Sequence, residues 1–132
     1  MTTTDARKRL AEQQAADHDP IGRIYLAGPM SGYPEFNYPA FHWGAGLLAS
    51  AGVDPINPAR TEGREARHGW VDFMRASLRD LADCDGVATL TGWQDSRGAA
   101  LEVHIARSLD LPVMPVGEWV ERLAPNTLGG AS

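Results

Sequence analysis

The sequence predicts a three-layer α/β domain built on a parallel sheet of four or five strands. Short β-favouring runs alternate with amphipathic helical segments, an order that right-handed crossovers convert into parallel strands. Clusters of Gly, Pro and polar residues follow the first, second and third strands, so they gather at one edge of such a sheet. A chain of 132 residues makes one domain with room for a core.

Residues 1–22 are polar, with Arg7-Lys8-Arg9 and Gln13-Gln14-Ala15-Ala16, and read as a flexible leader, either a loose helix or disordered up to Pro20. The folded domain spans 23–124 and begins with the strand Arg23-Ile24-Tyr25-Leu26-Ala27, broken by Gly28-Pro29. A helix follows from about Pro39, with Phe41, Ala45, Leu48 and Ala51 on one face and Gly52 as its stop. Val53-Asp54-Pro55-Ile56 is the next strand, and its proline disfavours an interior position. Asn57-Pro58-Ala59 opens a polar loop that runs through Thr61 to His68 and is a candidate lid. Trp70, Met74, Leu78 and Leu81 mark a second helix, and Gly86 to Leu90 form the third strand. A helix from Ala99 to Leu109, a strand from Pro112 to Pro115 and a short helix from Glu118 to Leu123 complete the core. Residues 125–132 read as a flexible tail.

The composition is that of a soluble globular protein, 43% hydrophobic and 22% charged. A net charge of −5 with a single lysine, Lys8, argues against a nucleic-acid polymer as partner, because phosphate backbones need clustered cations. A small nucleotide can still be held by backbone amides. The lone cysteine, Cys84, excludes an intramolecular disulfide and a thiolate metal site and reads as a structural thiol. No apolar run has the length of a membrane span or a signal core, so the expected compartment is the cytoplasm. The four histidines, His18, His42, His68 and His104, lack ligand spacing, so no metal is expected, nor any other cofactor. A serine-hydrolase elbow is absent too.

Ser96-Arg97-Gly98-Ala99-Ala100-Leu101-Glu102 carries the most chemistry. It leads from the carboxyl end of a strand into a helix and brings a hydroxyl, an open backbone and a carboxylate within two turns. A carboxylate held there can attack a sugar carbon. The simpler reading is a capped helix, with Ser96 as N-cap and Glu102 near the positive end of the dipole. The first loop, Gly28-Pro29-Met30-Ser31-Gly32, offers backbone N–H groups to a ligand or forms a tight turn; it is neither a GxGxxG fingerprint nor a P-loop. Tyr25 either points its hydroxyl into a cleft or packs. Phe36, Asn37, Tyr38 and Phe41 suit a nucleobase or the core. Asp72, Ser77 and Asp80 lie on or near the second helix, where Asp80 with Arg79 and Asp83 reads as charged surface. Asp85 reads as a turn or cap residue.

Tyr-Leu-Ala-Gly-Pro-Met-Ser-Gly at 25–32, Asn37 with Phe41, Asn57-Pro58-Ala59, Cys84-Asp85, Gly92-Trp93 and Ser96-Arg97-Gly98-Ala99 with Glu102 together resemble the DUF4406 family. This largely phage and bacterial group is similar to the nucleoside 2-deoxyribosyltransferases. The resemblance covers about Arg23 to Val116 and implies a flavodoxin-like sheet and chemistry at the N-glycosidic bond of a nucleoside or nucleotide. It implies Glu102 as the nucleophile that forms a glycosyl-enzyme, with Tyr25 beside it. It aligns Ser96 with a serine of nucleotide hydrolases and an aspartate of transferases, and it implies substrate contacts from residues 28–32, Asn37, Trp93, Arg97 and Gly98. The dipole at a helix N-terminus is expected to keep Glu102 ionised.

Two positions depart from the related enzymes. Pro29 and Ser31 stand where nucleotide hydrolases carry a serine and an arginine, which weakens the phosphate clamp and leaves Arg97 as a substitute. Ser77 stands where relatives place an aspartate that handles the leaving base, so Asp72 or Asp80 is the candidate replacement. The expected activity is therefore an N-glycosidase or 2-deoxyribosyltransferase. Its serine at position 96 leans toward hydrolysis. A nucleotide-binding module without turnover is the second reading, motivated by Ser77. A flavodoxin-like electron carrier is a weaker third, because the first loop lacks a hydroxyl-rich phosphate cradle. The resemblance also implies a homo-oligomer, for which Trp43, Trp70, Trp93 and Trp119 offer aromatic surface.

Overall fold

The computed structural model of the chain describes residues 22–61 and 64–124. The expected leader and tail lie outside these residues, apart from Gly22. Four strands form one parallel sheet: β1 (Arg23–Ala27), β2 (Asp54–Ile56), β3 (Gly86–Thr89) and β4 (Val113–Pro115), in the order β2-β1-β3-β4. Four helices connect or follow them: α1 (Tyr38–Ser50), α2 (Arg64–Ala82), α3 (Arg97–Ser108) and α4 (Val116–Leu123). This is the doubly wound, flavodoxin-like arrangement that the alternating pattern predicts, with four strands.

Alternation along the strands separates two cores. Ile24 and Leu26 of β1 join Ala88 and Leu90 with Phe41 and Leu48 of α1 and Val116 and Trp119 of α4. Tyr25 and Ala27 point the other way and pack with Val87, with Leu81 of α2, and with Ala99, Val103 and Ala106 of α3. The proline strands occupy the edges, where a missing N–H disrupts no interior ladder: Pro55 lies in β2 and Pro115 in β4. The indole Nε1 of Trp119 donates to the Val87 carbonyl at 2.7 Å and ties α4 to the central strand. Asp85, before β3, accepts from the Arg23 amide at 2.9 Å and so ties the start of β1 to the start of β3.

One segment differs from expectation. Arg64 to His68 belong to α2 rather than to a loop, and the helix is interrupted at Gly69, whose φ of 82° and ψ of 168° lie outside the helical region. Polar residues such as Arg and Glu have good helix propensity, so a charged stretch without an apolar stripe is still compatible with a helical turn. The amphipathic part, with Phe73, Met74, Ser77 and Leu81 buried, begins after the break.

The order of strands places the functional edge. From β1 the chain steps outward to β2, whereas from β3 it steps the opposite way to β4. The carboxyl ends of β1 and β3 therefore flank the topological switch point, where open α/β sheets leave a crevice. Their approach is close, because a Cβ on Gly28 would stand 2.8 Å from the Leu90 Cβ. Gly28→Val should therefore destabilise the fold by about 1–3 kcal/mol through overpacking. Gly46→Ala, in α1 with nothing within 4 Å of a new Cβ, should be neutral or stabilising by up to about 1 kcal/mol. Denaturant unfolding of the two variants beside the wild type checks both.

A candidate active site around a buried carboxyl

A cavity of about 390 Å³ opens at the switch point. Gly28, Pro29, Met30 and Ser31 after β1 form one wall, and Gly92, Asp95, Ser96, Arg97 and Gly98 after β3 form the facing one. Trp70, Phe73 and Met74 of α2 close the side, with Phe41, Pro58 and Tyr33 at its margins. The volume suits a small organic ligand and the lining is mostly apolar and aromatic with a few polar groups.

Local hydrogen bonds shape both walls. Ser96 is the N-cap of α3 and its Oγ accepts from the Ala99 amide at 3.2 Å, so the capping role and the cavity position belong to the same residue. Asn37 lies outside the lining and donates from Nδ2 to the Pro29 carbonyl at 2.9 Å, bracing the first loop from behind. It ends a turn in which Glu35, Phe36 and Asn37 all have positive φ, between 52° and 62°. Such a conformation in non-glycine residues persists only where surrounding contacts hold it. Buried Asn57 accepts from the Ala59 amide at 2.9 Å and pairs with His42 at 3.1 Å, which fixes the turn that delivers Pro58.

Glu102 lies on the apolar stripe of α3, in register with buried Ala99, Val103 and Ala106. Its carboxyl lines the cavity and is itself buried. Tyr25, fully buried on β1, donates its hydroxyl to Glu102 Oε2 at 2.5 Å. Burial and then the adjacent Glu102 charge hold the Tyr25 phenol well above its ordinary range, so it stays a donor.

Here the structure corrects an expectation. Burial pushes the Glu102 carboxyl up to about 8, and the Tyr25 hydrogen bond opposes that rise without cancelling it. The helix dipole acts within the first turn, whereas Glu102 is the sixth residue of α3. Burial therefore favours the neutral acid at this position.

The remaining expected residues divide clearly. Gly28, Pro29, Met30, Ser31, Ser96, Arg97 and Gly98 meet at the cavity with Glu102. Gly32 and Trp93 are not in its lining, and Trp93 instead borders a neighbouring depression with Trp43. Asp72 and Asp80 are solvent-exposed and outside the lining, because both point away from the buried face of α2. Asp95 is the second carboxylate on the wall, which the sequence reading did not single out. Trp70, expected as a helix marker and as aromatic surface for subunit contacts, has its ring 3.7 Å beneath the Arg97 guanidinium, a cation–π contact that holds the cation at the cavity. A glutamate placed on an otherwise apolar helical stripe is the sequence signal that marks Glu102 as buried. Cys84 is structural as expected: burial, aided by Asp85, pushes its thiol up to about 12, and Sγ donates to the Asp80 carbonyl at 3.2 Å.

Among the described residues no group of His, Cys, Asp and Glu could hold a metal ion, and no helix is long and apolar enough to cross a membrane. Fold and site together define a doubly wound α/β protein with a buried carboxyl at its ligand crevice. The chain belongs to the DUF4406 family, described as a domain of unknown function, whose model matches residues 22–115. No curated protein and no solved structure matches it.

The Glu102 shift has a measurable consequence. The folded state holds the proton up to about pH 8, whereas an unfolded glutamate releases it near 4.5. Between these values the folded state binds more protons, so stability is fullest below about 4.5 and declines as pH rises to about 8. Glu102→Gln should flatten that segment of the unfolding profile and be the more stable form at pH 8 and above.

Proposed function

We propose that this protein cleaves or transfers the N-glycosidic bond of a nucleoside or nucleotide, with Glu102 as nucleophile. The observation that carries the reading is a buried carboxyl, held by Tyr25, on the wall of a nucleoside-sized cavity at the switch point. Motifs resembling those of nucleoside 2-deoxyribosyltransferases supply the substrate class.

In this reading a Glu102 oxygen attacks the anomeric carbon while the bond from that carbon to the base nitrogen breaks. The electron pair leaves with the base, which takes up a proton. The transition state is oxocarbenium-like, so a carboxylate beside it is stabilised electrostatically as the sugar gains positive charge. The same positive charge favours the ionised form of Glu102 against the burial that otherwise holds it neutral. Water or a second base then attacks the anomeric carbon and releases Glu102 as carboxylate. Asp95, the other acidic side chain on the wall, is the candidate to relay a proton from solvent to the leaving base. Arg97, the cation among the described lining residues, is the group a 5′-phosphate would meet.

A binding module without turnover is the second reading. It is favoured by the exposure of Asp72 and Asp80 and by a Glu102 that burial holds protonated. Chromatography after incubation with ribo- and deoxyribonucleosides and their monophosphates separates the two. Free base without an acceptor identifies a hydrolase, and a new nucleoside only with an acceptor base identifies a transferase. Glu102→Gln should lower either rate by at least about a thousandfold. Intact substrates that co-elute with the protein would favour the binding module.

A further inference from the structure

Gly92 lines both the main cavity and the neighbouring depression of about 350 Å³ that holds Trp43 and Trp93, and it is the one described residue common to the two. Tyr33, in the loop after β1, reaches across to it. A Cβ on Gly92 would stand 2.8 Å from the Tyr33 hydroxyl oxygen and 3.5 Å from Pro29 Cγ. With a φ of 90° and no side chain, Gly92 leaves that landing place open. The main chain of Tyr33 is held on both sides, since its amide donates to the Met30 carbonyl at 3.2 Å and its carbonyl accepts from the Phe36 amide at 3.0 Å. The bond from Asn37 to the Pro29 carbonyl closes the same loop. The side chain itself is 44% exposed, and its hydroxyl has no hydrogen-bond partner among the described residues. Tyr33 thus stands where the cavity ends and the depression begins, fixed by its backbone and not by packing around its ring.

We infer that Tyr33 is a specificity-determining residue: it ends the ligand cavity at Gly92, so that a compact nucleoside or nucleotide is admitted and one with a bulky extension over Gly92 is refused. The loop after β3 sets the two limits of the cavity. At its far end a Cβ on Gly98 would stand 3.1 Å from Met74 Sδ and 3.7 Å from Trp70 Nε1, and Glu102 follows one turn later on α3. A sugar carbon beside Glu102 therefore occupies that end, and the remainder of the ligand extends toward Gly92. Refusal by a clash with the larger ligand is the means by which a site discriminates without added attraction. An aromatic ring suits the task, because it is rigid and loses little entropy when held in place. The space it closes off is fitted for an aromatic extension, since Trp93 and the 60% exposed Trp43 line it.

The inference rests on the proposed ligand class, and its test includes probes that do not. Binding is measured by calorimetry on full-length protein carrying Glu102→Gln, so that no ligand is consumed. The indole N–H signals of Trp70, in the cavity, and Trp93, in the depression, are followed by NMR. Deoxyadenosine monophosphate is the compact ligand; one extended ligand carries a benzyl group on the base, the other a second nucleotide on the phosphate. With Tyr33→Ala, at least one extended ligand should gain about tenfold in affinity relative to the compact one and should shift the Trp93 signal as well as that of Trp70. The ligand that gains identifies the group that reaches Gly92. Tyr33→Phe, which keeps the ring and loses only an unpartnered hydroxyl, should discriminate as tyrosine does. Equal changes for compact and extended ligands with Tyr33→Ala, or a Tyr33→Phe as permissive as Tyr33→Ala, would overturn the inference. If no nucleotide binds, the nucleoside reading fails, and benzimidazole with a bisbenzimidazole decides the role of Tyr33. A bisbenzimidazole that shifts both tryptophan signals only with Tyr33→Ala supports it, and identical responses with and without the substitution reject it.

Discussion

The parallel pairing of β1 with β3 is the constraint on which the rest of the molecule depends. Ile24 to Ala27 lie against Gly86 to Thr89 without a break, and the Leu90 amide extends the ladder by donating to the Ala27 carbonyl at 2.9 Å. Both remaining strands attach to this pair from outside. Because the two strands end side by side, the loops that leave them must face each other across a crevice. Because alternate residues of β1 face opposite layers, Tyr25 is directed to the α2–α3 side while Ile24 and Leu26 serve the other core.

That placement sets the electrostatics. A carboxyl in the packed stripe of α3 loses its water, and the hydrogen bond from Tyr25 returns only part of what hydration supplied. The resulting group is more basic than an ordinary glutamate and sensitive to whatever charge enters the cavity. Positive charge brought into the cavity favours its ionisation, whereas burial favours the neutral acid. The same residue is thus costly to the fold at high pH, and acids perturbed by burial in a cleft in this way are candidates for functional sites.

The cavity walls depend on small local devices. Ser96 caps α3, Asn37 braces the Pro29 carbonyl, and Asn57 fixes the turn before Pro58. These side chains satisfy backbone groups in loops that have no ladder of their own. They hold backbone segments in place, so their effect on a ligand is exerted through geometry. Trp70 plays a comparable part for Arg97, keeping a long flexible cation at the cavity margin by stacking.

Much of the fold was legible in the residue order. Apolar periodicity located the four strands and the amphipathic helices, and Pro55 signalled an edge strand. The Gly- and Pro-rich junctions located the edge that carries the cavity. Less of the site could be read. Asp72 and Asp80 are the replacements that the resemblance suggests for the aspartate expected at position 77, but helical phase turns them to solvent. The charged stretch from Arg64 to His68 carried no apolar stripe by which a helix is recognised, and the break at Gly69 separated it from the pattern that follows. Asp95 and Trp70 gave no local sign of a shared cavity, because they come from different elements. The sequence by itself determined which residues build strands and helices and at which edge their junctions collect, since these follow from local periodicity. Tertiary structure alone decided that Tyr25 meets Glu102 across 77 positions of chain and that burial raises the carboxyl to about 8, because desolvation is set by the atoms that surround a group and not by its neighbours in sequence.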